Sequence, residues 1–361
     1  MLTTPLRIAV LGAGPIGLGT AALLDARGHR PVLWSPRGAA VSRSMQLTAE
    51  GALQHTAAVE IASSCAEAVA GAAAVLVAVP ANAYRATLDT LAACLHPGQP
   101  VLISGHLSLA ALYLSRLLAE RGVAAPIAAW GTTVVSGRRL APDRVRLSSI
   151  RAEVDVAAVP QQAGEAMLDL CRALFDDRFR LRDGLVAIAL SNANPQNHLA
   201  IALCNVTRME KGEAWRQYAN ITPAVGRFME ALDAERLNVA EAFGVEVRSL
   251  RRHFHLSFHV PEGPVGDMMA HLAKRPDDPL APATLDSRYV LEDAPFGLHV
   301  TALLGRMCGR PAVLHESGLN LLSALYGYDL AATNDIVPVL GLENMPPALF
   351  ARVASEGWAA T

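Results

Sequence analysis

The densest cluster of polar side chains in this 361-residue chain covers residues 191–198 and has the sequence SNANPQNH. It follows an apolar run over residues 185–190. If a helix begins at Asn194 with Pro195 in its first turn, Asn194 and His198 stand one turn apart on the same face. An imidazole placed there can exchange a proton with a carbonyl or hydroxyl oxygen. The residues alone leave open whether His198 is catalytic or structural.

A second polar segment, residues 288–298, begins with Arg288 and carries two adjacent acids, Glu292 and Asp293. Pro295 follows them, which favours the first turn of a helix, and negative charge is favourable at a helix N-terminus. On composition alone, Asp293 is therefore a residue of a helix N-terminus. A catalytic use of its carboxylate is the alternative.

A glycine-rich turn, GAGPIG, lies at residues 12–17 between a predicted strand and an alanine-rich helix. In this GxGxxG spacing Gly12 permits the tight turn, Gly14 lets a pyrophosphate approach bare backbone, and Gly17 lets helix and strand pack. The helix N-terminus offers free N–H groups to the anion. We predict nucleotide binding at Gly12, Gly14, Pro15, Ile16 and Gly17. A turn that packs tightly and binds nothing is the alternative.

The end of the second predicted strand, residues 34–37, has the sequence WSPR. NAD enzymes usually carry an Asp or Glu there to bind the adenosine 2′-hydroxyl, and this segment has no acid. Ser35 and Arg37, with Arg43 as a further candidate, suit a 2′-phosphate because guanidinium binds phosphate through two parallel hydrogen bonds. We therefore predict NADP(H) as the preferred cofactor and NAD(H) as the alternative. A solvated Arg37 without a ligand is the simpler explanation.

The elements that position these residues alternate over residues 7–160, where short β-branched runs are followed by turns and alanine-rich amphipathic stretches. This pattern is typical of a parallel sheet with crossover helices. The predicted strands cover residues 7–11, 31–35, 75–79, 100–104, 127–130 and 154–159. Pro80 and Asn82 follow the third of these strands beside the expected nucleotide crevice, so we predict cofactor contacts there. Asn82 as a cap of the next helix is the alternative.

After residue 161 the strand signals fade, and helical spacing covers residues 161–174, 194–218, 222–243 and 296–308. Residues 261–282 are rich in Pro, Gly and Asp and are predicted to be an irregular connection between helices. The predicted fold class is α/β followed by all-α. An N-terminal Rossmann domain with a doubly wound, mainly parallel sheet would cover residues 1–183, and an α-helical C-terminal domain would cover residues 184–361.

Net charge, cysteine content and hydropathy indicate which partners and which cellular compartment suit this chain. With 31 Lys and Arg against 33 Asp and Glu, the net charge of -2 provides no basic surface for nucleic acid or an anionic membrane. The five cysteines are scattered and lack metal-ligand spacing, which favours a reducing compartment. Residues 8–24 are uncharged but contain four glycines and are shorter than the ~20 residues of a membrane span. We expect a cytoplasmic protein with enough apolar surface for a homodimer.

Three histidines, His253, His255 and His259, lie within seven residues. No carboxylate or cysteine ligand is interleaved with them, and the alternation over residues 253–255 predicts an extended segment rather than a metal site. We therefore predict that the protein uses no metal.

Together these motifs resemble the opine dehydrogenases of the octopine/nopaline type, and the resemblance covers residues 7–349. Four segments carry it: the early GxGxxG, the NxNPxxH that ends at His198, the run Tyr218…Thr222-Pro223…Asp233-Ala234-Glu235-Arg236, and Arg288-Tyr289…Glu292-Asp293-x-Pro295-x-Gly297-Leu298. The resemblance implies a Rossmann domain followed by a helical domain like that of 6-phosphogluconate dehydrogenase, with substrate between them. It also implies a reaction in which an α-keto acid and the amine of an amino acid form an imine that NAD(P)H reduces.

In such enzymes the histidine of NxNPxxH works with the aspartate of EDxPxG, and these roles fall on His198 and Asp293. An aspartate bonded to one ring nitrogen fixes the tautomer and leaves the other nitrogen for a substrate oxygen. The two carboxylates of an opine require at least one arginine, although an arginine can also make an ordinary ion pair. The predicted substrate-binding residues are Arg288, then Arg138, with Asn194 and Thr133.

Two departures from the family pattern leave the choice of substrate open. Residues 104–107 have the sequence SGHL, and Trp130 stands where many relatives carry an acidic residue. His106 adds a second histidine near the expected crevice, and an exposed loop histidine is the simpler explanation.

Two other functions compete with this interpretation. A ketopantoate or β-hydroxy-acid type dehydrogenase would reduce a keto acid without an amine, and such enzymes commonly use a lysine near the start of the helical domain. Lys211 is the lysine nearby, and it lies in a charged stretch, residues 209–213, that is predicted to be an exposed turn. A non-catalytic NADP-binding regulator would be expected to lose His198 or Asp293, and both are present.

Overall fold

The computed structural model describes residues 4–36, 38, 43–276 and 278–359. The chain forms two compact units, of which the first comprises Met1–Ile188 with Ala348–Thr361 and the second comprises Ala189–Pro347. The last helix therefore joins the first unit, whereas the sequence assigned it to the helical domain. Ser355 Oγ donates to Gln161 Oε1 at 3.0 Å, and the backbone N–H of Trp358 donates to Ser115 Oγ at 3.0 Å. These bonds join segments far apart in the chain, which local sequence patterns do not reveal.

Among the residues that the structure describes, the strands all lie in the first unit. They are β1 (Arg7–Leu11), β2 (Arg30–Trp34), β3 (Ser44–Gly51), β4 (His55–Ile61), β5 (Ala74–Val77), β6 (Val101–Ile103), β7 (Ile127–Trp130), β8 (Val135–Ala141), β9 (Arg144–Ile150), β10 (Val154–Val159) and β11 (Phe179–Leu181). Over the described residues they form one sheet in the order β11-β10-β7-β6-β5-β1-β2-β4-β3-β9-β8.

The centre of this sheet is parallel. β1 pairs in parallel with β2 and β5, and β5, β6 and β7 continue in the same direction. Residues 8–11 and 74–77 are completely buried, as expected for strands that are covered on both faces. The predicted Rossmann-type, mainly parallel sheet is thus confirmed. Because the carboxyl ends of parallel strands meet at one edge, the segments that follow β1, β2, β5, β6 and β7 lie together there.

The helices are α1 (Pro15–Ala26), α2 (Cys65–Val69), α3 (Tyr84–Cys94), α4 (Ala110–Glu120), α5 (Gly164–Phe175), α6 (Gly184–Ser191), α7 (Asn194–Glu210), α8 (Pro223–Ala242), α9 (Leu250–Phe258), α10 (Val265–Ala273), α11 (Arg288–Leu291), α12 (His299–Met307), α13 (Val313–Tyr326), α14 (Val337–Leu340) and α15 (Pro347–Glu356). A π-helical segment, Ala294–Leu298, leads into α12. Helices α7 to α14 build the second unit, which confirms the predicted helical domain. Among the described helices, none has the length and apolar character that a membrane crossing requires.

The sequence patterns did not predict β3, β4, β8, β9 and β11. In β9 the buried residues Val145 and Leu147 alternate with exposed arginines, so half of the strand is polar. β8 and β9 form an antiparallel hairpin that packs against α1. A Cβ added to Gly19 of α1 would come within 2.5 Å of Leu147 Cδ2 and 3.2 Å of Val135 Cγ2. The hairpin therefore packs closely against α1 at this glycine.

Two helices of the second unit correct the sequence prediction. The histidine segment is helix α9 rather than an extended strand, because Leu250 and Phe254, one turn apart, are buried on one face. Residues 261–282, predicted to be irregular, contain α10. A Cβ on Gly226 of α8 would come within 2.5 Å of Gly266 N in α10. Gly266, one of the residues that suggested an irregular segment, instead allows α8 and α10 to touch.

The motif over residues 233–236 has a structural role. Arg236 is 1% exposed, pairs with Asp233 Oδ1 at 2.6 Å and donates to two backbone carbonyls. Asp233 Oδ2 accepts the backbone N–H of Leu250 at 2.7 Å. Glu235 accepts the backbone N–H of Leu314 at 2.7 Å at the start of α13. The motif thus ties α8 to the first turns of α9 and α13.

Candidate active site

A histidine and an aspartate that are 95 residues apart in the sequence meet in the second unit. α7 begins at Asn194 with Pro195 in its first turn, which places His198 one turn into the helix. Asp293 directly precedes the π-helical segment. His198 Nδ1 lies 2.6 Å from Asp293 Oδ2, and the two side chains are 12% and 1% exposed. The structure thus brings together the two residues that the family resemblance pairs.

The carboxylate of Asp293 contacts the histidine rather than a helix terminus. Its side chain makes no capping hydrogen bond to the segment that follows. Since a carboxylate can only accept, His198 Nδ1 carries a proton and Nε2 is left for a ligand. Asp293 Oδ1 is buried and has no hydrogen-bond partner among the described residues. A pair of this kind holds the imidazole in one tautomer and stabilises its protonated form.

Tyr289 packs flat on the His198 ring. The ring centroids are 3.6 Å apart and the ring planes differ by 10°. Burial raises the pKa of Tyr289, and the protonated hydroxyl donates to Gln217 Oε1 at 2.7 Å. The imidazole is therefore held at its edge by Asp293 and on its face by Tyr289. Sequence reasoning gave Tyr289 no role, although it lies in the same motif as Asp293.

We expect the Tyr289→Leu variant to lower kcat about tenfold, because an aromatic stack contributes about 0.5–1.5 kcal/mol and orients the imidazole. Tyr289→Phe keeps the stack and removes only the bond to Gln217, so its kcat should stay within about twofold of wild type. Steady-state kinetics of both variants check this, with the exposed Tyr328→Leu as a matched control. An unchanged kcat in Tyr289→Leu would show that the stack does not position His198.

The predicted substrate contacts lie in both units. In the second unit, Asn194 lies one turn before His198 on the same helix face. The side chain of Arg288 is 61% exposed and its Nε lies 3.4 Å from Glu292 Oε2. In the first unit, Thr133 follows β7 and its Oγ1 donates to Val135 O at 2.6 Å.

Arg138, the second arginine candidate, lies on the exposed part of β8. It is five residues beyond Thr133, which corresponds to about 16 Å along an extended strand.

The glycine turn has the geometry that a dinucleotide requires. Gly12 has a φ of +123°, its N–H donates to Trp34 O at 2.8 Å, and a Cβ there would lie 2.3 Å from Ala78 O. A Cβ on Gly17 would lie 1.9 Å from Gly12 O. Gly14 differs, because a Cβ there meets nothing within 4 Å. The fold thus requires glycine at positions 12 and 17. Gly14 instead leaves open space in front of the N-terminus of α1, which begins with Pro15 and Ile16.

Other predicted cofactor contacts lie at the same edge of the sheet. Ser35 follows β2 and is half-buried, and Pro80 and Asn82 are exposed directly beyond β5. Asn82 does not cap the next helix, because the residue at the N-cap of α3 is Ala83. Arg37 lies outside the described residues.

Two parts of the chain match known protein families. Residues 181–326 match the family of the NAD/NADP octopine/nopaline dehydrogenase alpha-helical domain. The helical part of the chain is therefore similar to this family. Residues 7–122 match the family of the NAD-dependent glycerol-3-phosphate dehydrogenase N-terminus. The resemblance predicted from the sequence is thus confirmed.

Individual relatives agree with this assignment. The chain is 28% identical over 351 residues to an opine dehydrogenase of Arthrobacter sp. (strain 1C), covering 94% of this chain and 96% of the relative. Octopine dehydrogenase with NADH and L-arginine superposes with a TM-score of 0.77 at 16% identity, covering 97% and 98% of the two chains. NADP+-bound yersinopine dehydrogenase gives a TM-score of 0.69 at 18% identity, covering 96% and 95%. The two structures show a shared fold, and the chain is an opine dehydrogenase-like, NAD(P)-dependent oxidoreductase.

The two departures from the opine dehydrogenase pattern have structural explanations. Trp130 is completely buried against Phe175 and Phe179, with ring centroids 5.5 and 4.8 Å away, so it is a core residue of the first unit. His106 is also completely buried, and the prediction that it is exposed is wrong. Its Nε2 accepts the backbone N–H of Ala111 at 3.2 Å. The loop after β6 folds inward, which residue type alone does not indicate.

Because His106 is buried, we expect the free energy of unfolding to decrease in acid. Full burial lowers the pKa of His106 from 6.5 to about 3. Below pH 6.5 the unfolded chain binds a proton that the folded chain does not bind until about pH 3, so the free energy of unfolding falls as the pH is lowered. Between about pH 6.5 and pH 4.5, we expect the wild type to lose on the order of 2 kcal/mol more than His106→Gln. Urea denaturation across this pH range measures the free energy of unfolding of both proteins. The same pH dependence of this free energy in the two proteins would refute the prediction.

The histidines of α9 make local contacts. His255 Nδ1 lies 2.8 Å from Val260 O, and His259 ends the helix with a φ of +53°. Within the described ranges, no three His, Cys, Asp or Glu side chains are grouped in a way that could hold a metal ion.

Proposed function

We propose that this chain catalyses the NAD(P)H-dependent reductive condensation of an α-keto acid with the amine of an amino acid. The product would be a secondary amine that carries two carboxylates. The observation that supports this most strongly is the hydrogen-bonded pair of His198 and Asp293, set in a domain of the octopine/nopaline dehydrogenase family.

The proposed chemistry assigns proton transfer to His198. The amine adds to the keto carbon, and water must leave before the imine can be reduced. The imidazolium of His198, which Asp293 stabilises, donates its Nε2 proton to the departing oxygen, and the oxygen leaves as water. Tyr289 keeps the ring in the plane in which Nε2 can reach the oxygen. Bound NAD(P)H supplies the hydride that reduces the imine carbon.

Asn194 and Arg288 are the proposed substrate contacts nearest to this pair in the chain. Arg288 already faces a carboxylate, that of Glu292, so a substrate carboxylate would exchange one anionic partner for another. The exposed guanidinium makes this exchange accessible. Thr133 and Arg138 remain proposed contacts from the first unit.

We propose NADP(H) as the preferred cofactor. Support comes from the end of β2, where Ser35 stands in place of the acid that NAD enzymes use at the adenosine ribose. The octopine dehydrogenase structure contains NADH and the yersinopine dehydrogenase structure contains NADP+, so relatives of this fold accept either nucleotide.

The competing functions lack comparable support. Lys211, the lysine that a β-hydroxy-acid dehydrogenase would need, is exposed in the turn after α7. A regulator without catalysis would not need a buried Asp293 bonded to His198. We also propose a cytoplasmic location, supported by five free cysteines, and a homodimer, supported by exposed Val313, Leu321 and Leu325 on α13.

The test combines each of several keto acids with each of several amino acids and polyamines. The loss of NADPH or NADH absorbance measures the reaction in each mixture. We expect oxidation only where a keto acid and an amine are both present, with NADPH used in preference to NADH. Oxidation with a keto acid alone, at the same rate with or without amine, would instead assign the chain to the hydroxy-acid dehydrogenases.

A further inference from the structure

We propose that Arg139 binds the pyrophosphate of the dinucleotide, as a cation that the β8–β9 hairpin supplies to the glycine turn. The inference rests on the NAD(P)H dependence of the proposed function and adds a residue outside the GxGxxG motif. Arg139 lies in β8, a strand that the sequence patterns did not predict.

The first observation is a direct contact with the turn. Arg139 Nη1 donates to Ala13 O at 3.3 Å, although the two residues are 126 positions apart in the chain. Ala13 lies between Gly12 and Gly14, where a GxGxxG turn brings the pyrophosphate against the backbone. The guanidinium therefore lies beside the segment over which the pyrophosphate is expected.

The second observation is that the guanidinium is held in place by neutral groups only. Its Nε donates to Ala141 O at 3.1 Å and its Nη2 donates to Pro142 O at 3.1 Å. Three of its five N–H groups are thus used, and two are left for a ligand. Among the described residues no carboxylate forms an ion pair with Arg139, whereas Arg27 pairs with Asp176. The positive charge at the turn is therefore not neutralised by the described part of the protein.

The third observation is that the hairpin cannot move away from the turn without disturbing the core. The buried side chains of Leu147 and Val135 pack directly against Gly19 of α1. Gly19 lies in the second turn of α1, and the N-terminus of this helix is the other positive element at the site. Arg139 and the N-terminus of α1 are thus fixed relative to each other. Together they provide a preformed site for an anion.

The contact with Ala13 favours the pyrophosphate over the 2′-phosphate. The 2′-phosphate belongs at the end of β2, where Ser35 lies, whereas every nucleotide of this class carries a pyrophosphate. Arg139 should therefore strengthen NADH, NADPH and ADP-ribose binding by the same factor. A residue that reads the 2′-phosphate would strengthen only NADPH.

The experiment measures Kd for NADH, NADPH and ADP-ribose with the full-length chain, in the absence of keto acid and amine. We expect Arg139→Met to weaken all three about tenfold or more, because it removes charge-assisted hydrogen bonds to phosphate. Arg146→Met removes the same charge from the neighbouring strand without touching the turn, and should leave all three Kd values unchanged. Arg139→Lys keeps the charge and should recover part of the affinity.

Unfolding temperatures of the variants show whether a weaker Kd reflects a disturbed hairpin. Tighter binding by Arg139→Lys than by Arg139→Met at equal unfolding temperature supports the proposal. Unchanged binding in Arg139→Met, or a loss confined to NADPH, would overturn it. These Kd values do not depend on the reaction, so they stand even if the keto acid and amine matrix gives no turnover.

Discussion

The His198→Ala variant should turn over its substrates at least about 100-fold more slowly than the wild type, since general acid–base catalysis contributes about 10²- to 10⁴-fold. Its Kd for NADPH should stay within about twofold, because the glycine turn is built by other residues. Initial rates with the best substrate pair, together with a fluorescence titration of NADPH, measure both quantities. The loss should appear in kcat rather than in cofactor binding.

The Asp293→Asn variant tests the partner of His198 while leaving the histidine itself in place. The variant keeps the size of the side chain, but it cannot stabilise a protonated His198 and no longer fixes the proton on Nδ1. We expect kcat to fall by about 10²-fold or more, as in other enzymes where a histidine depends on a buried aspartate. His271→Ala is the matched control, because His271 is an exposed histidine of the same unit whose Nδ1 lies near a carbonyl of its own helix. Full activity in either active-site variant would remove the pair from the mechanism.

The second large effect concerns Gly14. The Gly14→Val variant should bind NADH and NADPH at least about 100-fold more weakly, which corresponds to about 2.7 kcal/mol of binding energy. Its unfolding temperature should change little, because Gly14 has a φ of -77° and a ψ of 177°, and a Cβ there meets nothing within 4 Å. The new side chain occupies the space that the pyrophosphate needs. Isothermal titration calorimetry and thermal unfolding measure the two effects separately.

The other glycines of the turn should behave differently. A Cβ at Gly12 or Gly17 meets backbone oxygen at 2.3 or 1.9 Å, so their alanine variants should lower the unfolding temperature as well as cofactor affinity. Gly263→Val is the control for Gly14→Val, because a Cβ at Gly263 also meets nothing within 4 Å. If Gly14→Val binds NADPH as tightly as the wild type, the nucleotide does not lie over this turn.

The parts of the fold that the sequence predicted are those with a strong local pattern. β1, the glycine turn and α1 follow one another without interruption, and a buried parallel strand shows as a continuous apolar run. The β8–β9 hairpin has no such pattern, because its exposed face is occupied by arginines. Arg139 was missed for this reason. Its contact with Ala13 depends on a tertiary arrangement that no local spacing indicates.

The candidate site was predictable only in part. Asn194 and His198 share a helix face, which their spacing predicts. The pairing of His198 with Asp293, 95 residues later, came from the family resemblance and has no local signal. The stacked Tyr289 and the buried His106 depend on which side chains face inward, and residue type does not determine this. The presence of a histidine in a sequence does not indicate whether its side chain is exposed or buried.

The most direct test of the proposed reaction follows the hydride into the product. The enzyme is incubated with NADPH deuterated at the transferred position, an α-keto acid and its preferred amino acid, and the products are identified by mass spectrometry. We expect one deuterium on the carbon that joins the new C–N bond of a secondary-amine dicarboxylate, and no such product with His198→Ala. A deuterated hydroxy acid, formed while the amino acid stays unmodified, would contradict the account.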